Sequence, residues 1–204
     1  MLLPKEKWPE KQRIDCYSQL EIIRKVKTKL IGAPLEELRR GCFGHLIDMR
    51  LNMIPTQLLH HLVLRQSKQG SEDELTFELQ GNRAKFGITE FALIAGLNCG
   101  KLPNIDKMKK DGELKRKFFP SSKNLSRKEF NTTFESKLKA TDCEKVKLAK
   151  LFILENLILG KQDKTYVEMY RMSMLDDGDR FDKFPWGRLS YELTIESIKK
   201  GINK

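Results

Sequence analysis

The sequence contains no long hydrophobic run, and this absence excludes several classes of protein. No apolar stretch approaches the roughly 18 residues of a membrane-spanning helix. At the N-terminus, Met1-Leu2-Leu3 is followed directly by Pro4 and Lys5, which interrupts any apolar core of a signal peptide. No internal repeat is present at any period. We therefore expect a soluble protein made in the cytosol, with no membrane partner.

Cysteine is also scarce, and the few cysteines are scattered. The chain has 204 residues and 4 cysteines without paired spacing: Cys16, Cys42, Cys99 and Cys143. This pattern favours free thiols over a disulfide framework. A chain of this length buries roughly 70% of its unfolded surface, so its core needs neither a disulfide nor a metal ion. We expect no cofactor.

Only 3 histidines are present, and they limit the metal and catalytic hypotheses. Cys42 and His45 have ligand-like spacing, and His60-His61 would have to complete a zinc site. Adjacent residues on a helix point about 100° apart, so a hydrogen-bonded His45 in the core is favoured over a zinc ligand. A nucleophile at Cys42 or Cys99 needs a nearby base and a group that orients it. The sequence marks neither, and we expect the protein not to be an enzyme.

Positive charge is abundant, with 39 Lys and Arg against 28 Asp and Glu and a formal net charge of +11. Such an excess suits an anionic partner such as nucleic acid. The excess is greatest in residues 101–130, which contain ten Lys or Arg and four Asp or Glu. The candidate nucleic-acid-binding side chains of this stretch are Lys107, Lys109, Lys110, Lys115, Arg116 and Lys117.

Two rings follow these cations, at Phe118 and Phe119. Lysines and arginines next to aromatic rings are typical of surfaces that neutralise phosphates and stack on bases. The alternative is a solvated, flexible loop whose phenylalanines pack into the core. A separate acidic stretch follows and resembles a cation-binding loop, but it lacks the closing Glu of an EF-hand. We expect it to be an acidic turn paired with Arg180 and Arg188. Its members are Asp176, Asp177, Asp179 and Asp182.

Residues 75–103 carry the clearest local pattern of the chain. Leu75, Phe77 and Leu79 alternate with polar residues, as in a half-buried strand. Gly81-Asn82 supplies turn residues that tolerate positive φ, so 83–86 is predicted to return as a second strand.

A helix is predicted to follow this hairpin directly. Gly87 stands at its N-cap, and Glu90 at the third helical position can accept from the free N–H there. Ile88 and Phe91 lie on one face of the helix, and Gly96 suits the left-handed position just past its end.

Helical periodicity recurs elsewhere, and the fold class predicted is a mostly helical α+β single domain with a small antiparallel β-hairpin. The run at 142–159, which Thr141 and Glu144 begin as a capping box, is apolar around more than half its circumference and belongs in the centre of the core. The domain is predicted to span 16–204 behind a flexible arm, 1–15. Further helices are predicted at 18–31, at 34–38, from Pro55, at 125–138 and at the C-terminus, with a strand or tight turn at 42–47.

Five stretches in this order resemble a plant-specific family known as the domain of unknown function numbered nineteen eighty-five. They are CFGHLIDM at 42–49, QLLHHLVLRQ at 57–66, KFGITEFALIAGLNCGKLP at 85–103, VKLAKLFILENLILG at 146–160 and DRFDKFPWGRLSYELTIESIKK at 179–200. One departure is Gly87, where the family usually has Ser; this weakens the helix cap by only a few tenths of a kcal/mol.

The resemblance implies a context for function. Members of the family are often fused, in transposon-derived plant proteins, to a cysteine protease domain that resembles SUMO-deconjugating enzymes. No Asp-Cys-Gly, the setting of that nucleophile, occurs in the sequence; Asp142-Cys143, for example, is followed by Glu144. We therefore expect a non-catalytic nuclear interaction module that binds nucleic acid through the basic loop, with a cytoplasmic location as the alternative. The other functional hypothesis is a protein-docking or regulatory domain that accompanies such a protease.

Overall fold

The computed structural model describes residues 17–49, 61–62, 64–67, 73–108, 111–136 and 139–202. The predicted arm at 1–15 and the first residues of the helix predicted from Pro55 lie outside these ranges. Contacts divide the chain into two compact units. The helical unit comprises Tyr17–Asn52 and Leu102–Phe184, and the hairpin unit comprises Met1–Cys16, Met53–Lys101 and Pro185–Lys204. The predicted boundary of a single domain at residue 16 stays a prediction.

The fold class is the predicted one, a mostly helical α+β fold with a small antiparallel hairpin. Within the described ranges, the helical unit contains α1 Glu21–Lys29, α2 Ala33–Arg40, α3 Gly44–Ile47, a 3-10 helix Ile105–Lys107, α5 Glu113–Phe118, α6 Arg127–Glu135, α7 Asp142–Ile153, a π-helix Leu154–Ile158, α8 Met169–Met174 and α9 Gly178–Lys183. The hairpin unit contains β1 Leu75–Leu79, β2 Asn82–Phe86, α4 Ile88–Ala95 and α10 Trp186–Ile202. No helix in the described ranges is both long and apolar enough to cross a membrane.

The helical unit is built around α7, as its apolar surface predicts. The Thr141 hydroxyl accepts from the Glu144 N–H at 3.3 Å, and the Glu144 carboxylate accepts from the Thr141 N–H at 2.8 Å, which completes the capping box. Leu151 and Phe152 are fully buried, and Phe134 of α6 stacks on Phe152 with ring centroids 4.3 Å apart. Because α1, α2 and α6 all pack against it, α7 forms the centre of this unit.

The stretch 42–47 forms a turn followed by the short helix α3, so the strand alternative is wrong. The reason is a close approach between α2 and α3. A Cβ at Gly44 would lie 1.7 Å from the carbonyl oxygen of Arg39, so only glycine fits at this position. Phe43 then enters the core and meets Phe181 edge to face, with centroids 6.1 Å apart.

The hairpin of the second unit has the predicted strands but a different turn. Leu79 pairs with Asn82, so the two turn residues are Gln80 and Gly81, with φ values of 49° and 84°. The predicted turn, Gly81-Asn82, is wrong by one residue. Positive φ at both central positions matches the twist of antiparallel strands, and glycine occupies the second of them.

Aromatic and aliphatic side chains fill the interior of the hairpin unit. Leu75, Tyr191 and Ile195 are buried, and half-buried side chains that include Phe86 and Phe91 pack around them. The ring of Tyr191 lies 5.6 Å from that of Phe91 and 6.2 Å from that of Phe86. This packing joins β1, β2, α4 and α10 within one unit.

The two ends of α4 follow the sequence prediction in part. Gly96 adopts φ 64° just after the helix, as predicted. Glu90 accepts from the Gly87 N–H at 2.7 Å. Glycine has no side chain to accept from the Glu90 N–H in return, so the cap consists of one hydrogen bond where α7 has two.

Candidate functional site

Of the four described cations in the predicted basic loop, three lie on the helix α5, so this part of the stretch is not a loop. Lys115, Arg116 and Lys117 belong to this helix, and Lys107 ends the 3-10 helix before it. Lys109 and Lys110 lie outside the described residues. Helix α5 begins where it does because the Asp176 carboxylate accepts from the N–H groups of Glu113 and Leu114, at 2.8 and 3.3 Å.

Two of these cations already have carboxylate partners. Lys117 Nζ lies 2.6 Å from Glu144 Oε1, and the Arg116 guanidinium lies 3.8 Å from Asp111. The hydrogen bond from Lys117, together with the Thr141 N–H, holds the pKa of Glu144 below its usual value. The positive charge of Lys117 is therefore largely balanced by the carboxylate of Glu144.

The two rings beside α5 are less available than the stacking hypothesis requires. Phe119 is buried and packs on Phe130, with centroids 5.9 Å apart. Phe118 is half-buried, and Lys117 Nζ lies 5.2 Å from the centre of its ring. The alternative of a core phenylalanine therefore holds for Phe119, while Phe118 stays partly exposed beside Lys117.

A buried cluster of charged side chains is the feature that the sequence did not reveal. Arg127 and Glu155 are completely buried, and Arg171 is 3% exposed. Arg171 Nη1 donates to Glu155 Oε1 at 2.7 Å. Arg127 Nε lies 3.5 Å from Glu155 Oε2, near enough for an ion pair but without hydrogen-bond geometry.

Amide and backbone groups complete this cluster. Arg127 Nη2 donates to the carbonyl oxygen of Glu155 and, at 2.9 Å, to Asn156 Oδ1. Asn156 in turn exchanges hydrogen bonds of 2.9 Å with the side chain of Asn131. Arg127 Nη1 has no hydrogen-bond partner although it is buried. Burial lowers the pKa of Arg127, and the nearby carboxylate of Glu155 opposes that shift.

The backbone beneath the cluster is a π-helix, Leu154–Ile158. The Leu159 N–H donates to the Leu154 carbonyl five residues earlier, at 2.9 Å. Such a turn is rare and frequently marks a functional site. The signal in the sequence is the polar pair Glu155-Asn156 inside the apolar run FILENLILG, since a polar pair on the inward face of a core helix requires buried partners.

An open cleft of about 390 Å³ lies beside this cluster. It is lined by Tyr17, Gln19, Lys161, Gln162, Asp163 and Lys164. Burial lowers the pKa of Lys161, and the positive charge of Arg171 lowers it further. The cleft therefore has a basic wall backed by buried positive charge.

The two candidate nucleophiles, Cys42 and Cys99, have pKa values that disfavour the thiolate. Burial raises the pKa of Cys42 well above its usual value, and the carboxylate of Asp182 raises it further. Burial also raises the pKa of Cys99. A thiolate is the reactive form, so neither thiol matches a nucleophile. In the part of the chain that the structure describes, no three His, Cys, Asp or Glu side chains are placed to hold a metal ion.

The acidic side chains at 176–182 have structural partners. Asp177 accepts from the N–H of Arg180 at 3.1 Å and caps α9, and Asp182 pairs with Lys150 at 2.7 Å. The expected pairing with the guanidinium groups of Arg180 and Arg188 is wrong, because these carboxylates bind helix N-termini and lysines.

Comparison with known proteins assigns the chain to a family without assigning it an activity. The model of the family described as "Domain of unknown function (DUF1985)" matches residues 63–197. This range includes the basic stretch and the buried cluster. No curated protein and no solved structure matches the chain. Since the matched range covers more than half of the 204 residues, the chain belongs to the DUF1985 family.

Proposed function

We propose that this chain is a non-catalytic interaction module that binds nucleic acid, in the nucleus, through the cations of residues 101–130. The observation that supports the proposal is a set of cations without carboxylate partners. Within the described part of this segment, five lysines are exposed or half-exposed and make no ion pair: Lys101, Lys107, Lys115, Lys123 and Lys128. These side chains are free to neutralise phosphates.

Binding of this kind has a measurable electrostatic signature. Each phosphate contact releases counterions and adds about 0.7 to 0.9 to the slope of log affinity against log salt concentration. Replacing Lys107, Lys115 and Lys123 by Gln should lower that slope by roughly two. Replacing Lys115, Arg116 and Lys117 should lower it less, because Glu144 already compensates Lys117.

The test is fluorescence anisotropy with single-stranded DNA and RNA at two or more salt concentrations. The matched control replaces Arg24, Lys25 and Lys27 of α1 by Gln, which removes the same charge from the same unit. These three cations lie 2.9, 2.7 and 3.5 Å from carboxylates. Equal salt slopes for the two triple variants would contradict binding at 101–130.

Protein docking is the second candidate function, and an exposed apolar pair favours it. Leu93 and Ile94, adjacent on α4, are 82% and 78% exposed. Large apolar side chains exposed together are typical of interaction surfaces. A partner of this kind would be the protease domain that the family resemblance suggests.

The docking candidate is tested by replacing Leu93 and Ile94 with Ser and measuring affinity for a SUMO-protease-like domain. Stability should be nearly unchanged, because both side chains are exposed. Ile31, 78% exposed in the helical unit, provides the control substitution. Equal affinity in the Leu93/Ile94 variant and the Ile31→Ser variant would remove α4 as the docking surface.

A further inference from the structure

The cleft lined by Tyr17, Lys161 and Lys164 is a site that the basic stretch does not account for. Its floor is tied to the buried cluster by backbone hydrogen bonds. The Gln19 N–H donates to the Asn156 carbonyl at 2.9 Å, and the Lys128 N–H donates to the Asp163 carbonyl at 3.2 Å. The lining residues are therefore held against the two elements that carry Arg127 and Glu155.

The charge around the cleft does not balance. The buried cluster has two guanidinium groups, Arg127 and Arg171, and one carboxylate, Glu155. The lining adds Lys161 and Lys164 against Asp163, and the carboxylate of Glu168 is near enough to act on Lys161. With all groups in their charged forms the set has one net positive charge. A buried charge without a counter-charge is unfavourable, so an anion in the cleft would stabilise this arrangement.

The desolvation of Lys161 and Arg127 supports the same conclusion. The pKa of Lys161 is lowered by burial and then by the charge of Arg171. Arg127 Nη1 is buried without a hydrogen-bond partner. Attraction between opposite charges is stronger where water is excluded. An anion should therefore bind more tightly beside Lys161 than beside an exposed lysine such as Lys139.

The size and chemistry of the cleft restrict the anion. A volume of about 390 Å³ is in the range of small-molecule sites. Tyr17, which is 38% exposed, offers an aromatic surface, and Gln162 Nε2 fixes its hydroxyl with a hydrogen bond of 2.7 Å. Lysines bind phosphate as point charges, and an exposed ring can stack on a base.

We propose that this cleft binds a phosphate group, either of a free nucleotide or at the end of a nucleic-acid strand. Lys161 and Lys164 contact the phosphate, while Arg127 and Arg171 attract it from the buried side. The site is separate from the cations of α5, and the proposal does not require that those cations bind nucleic acid.

The experiment uses the full chain with four probes: inorganic phosphate, adenosine monophosphate, and one oligonucleotide with either a 5′-phosphate or a 5′-hydroxyl. Binding is measured by calorimetry and by the shift in melting temperature, with sodium chloride at equal ionic strength as reference. At least one phosphate probe should bind above the chloride reference. A response to adenosine monophosphate identifies a free nucleotide, and a response restricted to the 5′-phosphorylated strand identifies a strand end.

Variants locate the binding. Lys161→Gln and Lys164→Gln should each weaken phosphate affinity by about tenfold, the loss of one charge-assisted contact. Lys139→Gln removes one exposed lysine from the same unit and should leave phosphate affinity unchanged. Melting curves establish that each variant is folded. If Lys161→Gln fails to fold, binding at the cleft is tested in two other ways. One is the phosphate affinity of Lys164→Gln, and the other is the change in amide NMR shifts at 17–19 and 161–165 when phosphate is added to the parent.

Two results would overturn the proposal. One is the absence of binding above the chloride reference for all phosphate probes. The other is equal phosphate affinity in the parent and the folded Lys161→Gln and Lys164→Gln variants. In either case the salt slope at α5 is measured independently, so the proposed function stands or fails by its own test.

Discussion

The two units of the chain differ in what lies at their centres. The helical unit places three charged side chains, Arg127, Glu155 and Arg171, where solvent hardly reaches. The hairpin unit gathers rings around Tyr191, whose phenolic hydroxyl donates to the carbonyl of Asp73.

This difference predicts different responses to substitution. An apolar cluster loses contacts in proportion to the atoms removed, and half-buried neighbours can close part of the gap. A buried ionic cluster responds steeply, because removing one member leaves the others charged and without partners. The helical unit should therefore be the more sensitive of the two to changes in charge.

Glu155→Gln should have the largest effect. The substitution keeps the shape of the side chain but leaves Arg127 and Arg171 without a counter-charge. We expect the free energy of unfolding to fall by about 3–5 kcal/mol, measured by urea denaturation. The matched control is Glu135→Gln, which breaks the exposed pair with Lys25 and should cost less than about 1 kcal/mol. Equal losses would mean that the buried charges do not depend on one another.

Leu151→Ala compares the apolar interiors of the two units. Leu151 is fully buried in α7, so its truncation should cost about 2–5 kcal/mol, towards the upper end because the surroundings are rigid helices. Ile195→Ala in the hairpin unit should cost about 2 kcal/mol, since the neighbours of Ile195 are half-buried. Ile158→Ala is also expected to cost less than Leu151→Ala, because Ile158 is only half-buried. A lower urea midpoint for Ile195→Ala than for Leu151→Ala would contradict the expected difference between the two units.

Local patterns were sufficient to predict the hairpin and the central helix, but not α5, α8 or α9. The alternation at Leu75, Phe77 and Leu79 identified β1, and the capping box at Thr141 identified the start of α7. Each of these signals depends on residues within one or two turns of each other. The turn at Gln80-Gly81 was missed by one residue because glycine is permitted at either central position.

The candidate sites were harder to predict because they depend on contacts between distant parts of the chain. Arg127 meets Glu155 across 28 residues, and Lys117 meets Glu144 across 27. Composition identified 101–130 as basic, but it could not show which cations had partners. Likewise, two phenylalanines beside lysines look the same in sequence whether a ring faces solvent or, as at Phe119, the core.

Tyr191→Phe tests the buried hydrogen bond at the centre of the hairpin unit. Removing the hydroxyl breaks the hydrogen bond to Asp73 and should cost about 1 kcal/mol at neutral pH. Burial, with the nearby carboxylates of Glu74 and Asp73, raises the pKa of Tyr191. A group with a raised folded-state pKa contributes stability that is present below its unfolded pKa and lost as pH rises through the folded value.

The pH dependence of Tyr191→Phe therefore has a definite sign. The difference in stability between parent and variant should be constant below about pH 10, the ordinary value for tyrosine, and should shrink at higher pH. Urea unfolding at pH 7, 9 and 11 measures it. A difference that grows with pH would show that the phenol ionises more readily in the folded protein.

The smallest expected effects come from the helix caps, which differ between α7 in the helical unit and α4 in the hairpin unit. The Thr141 hydroxyl accepts a hydrogen bond from the Glu144 N–H on α7, so Thr141→Ala should cost about 1 kcal/mol.

On α4, the Gly87 N–H donates to Glu90, but glycine has no side chain to accept from the Glu90 N–H. Gly87→Ser would supply this missing acceptor. A new Cβ there would lie 3.2 Å from the Glu90 carboxylate, so that side chain must move slightly. The expected gain is a few tenths of a kcal/mol. Gly87→Ala provides the control, because it adds the Cβ without the acceptor. If Ser and Ala change the urea midpoint equally, the second hydrogen bond of the cap contributes nothing to α4.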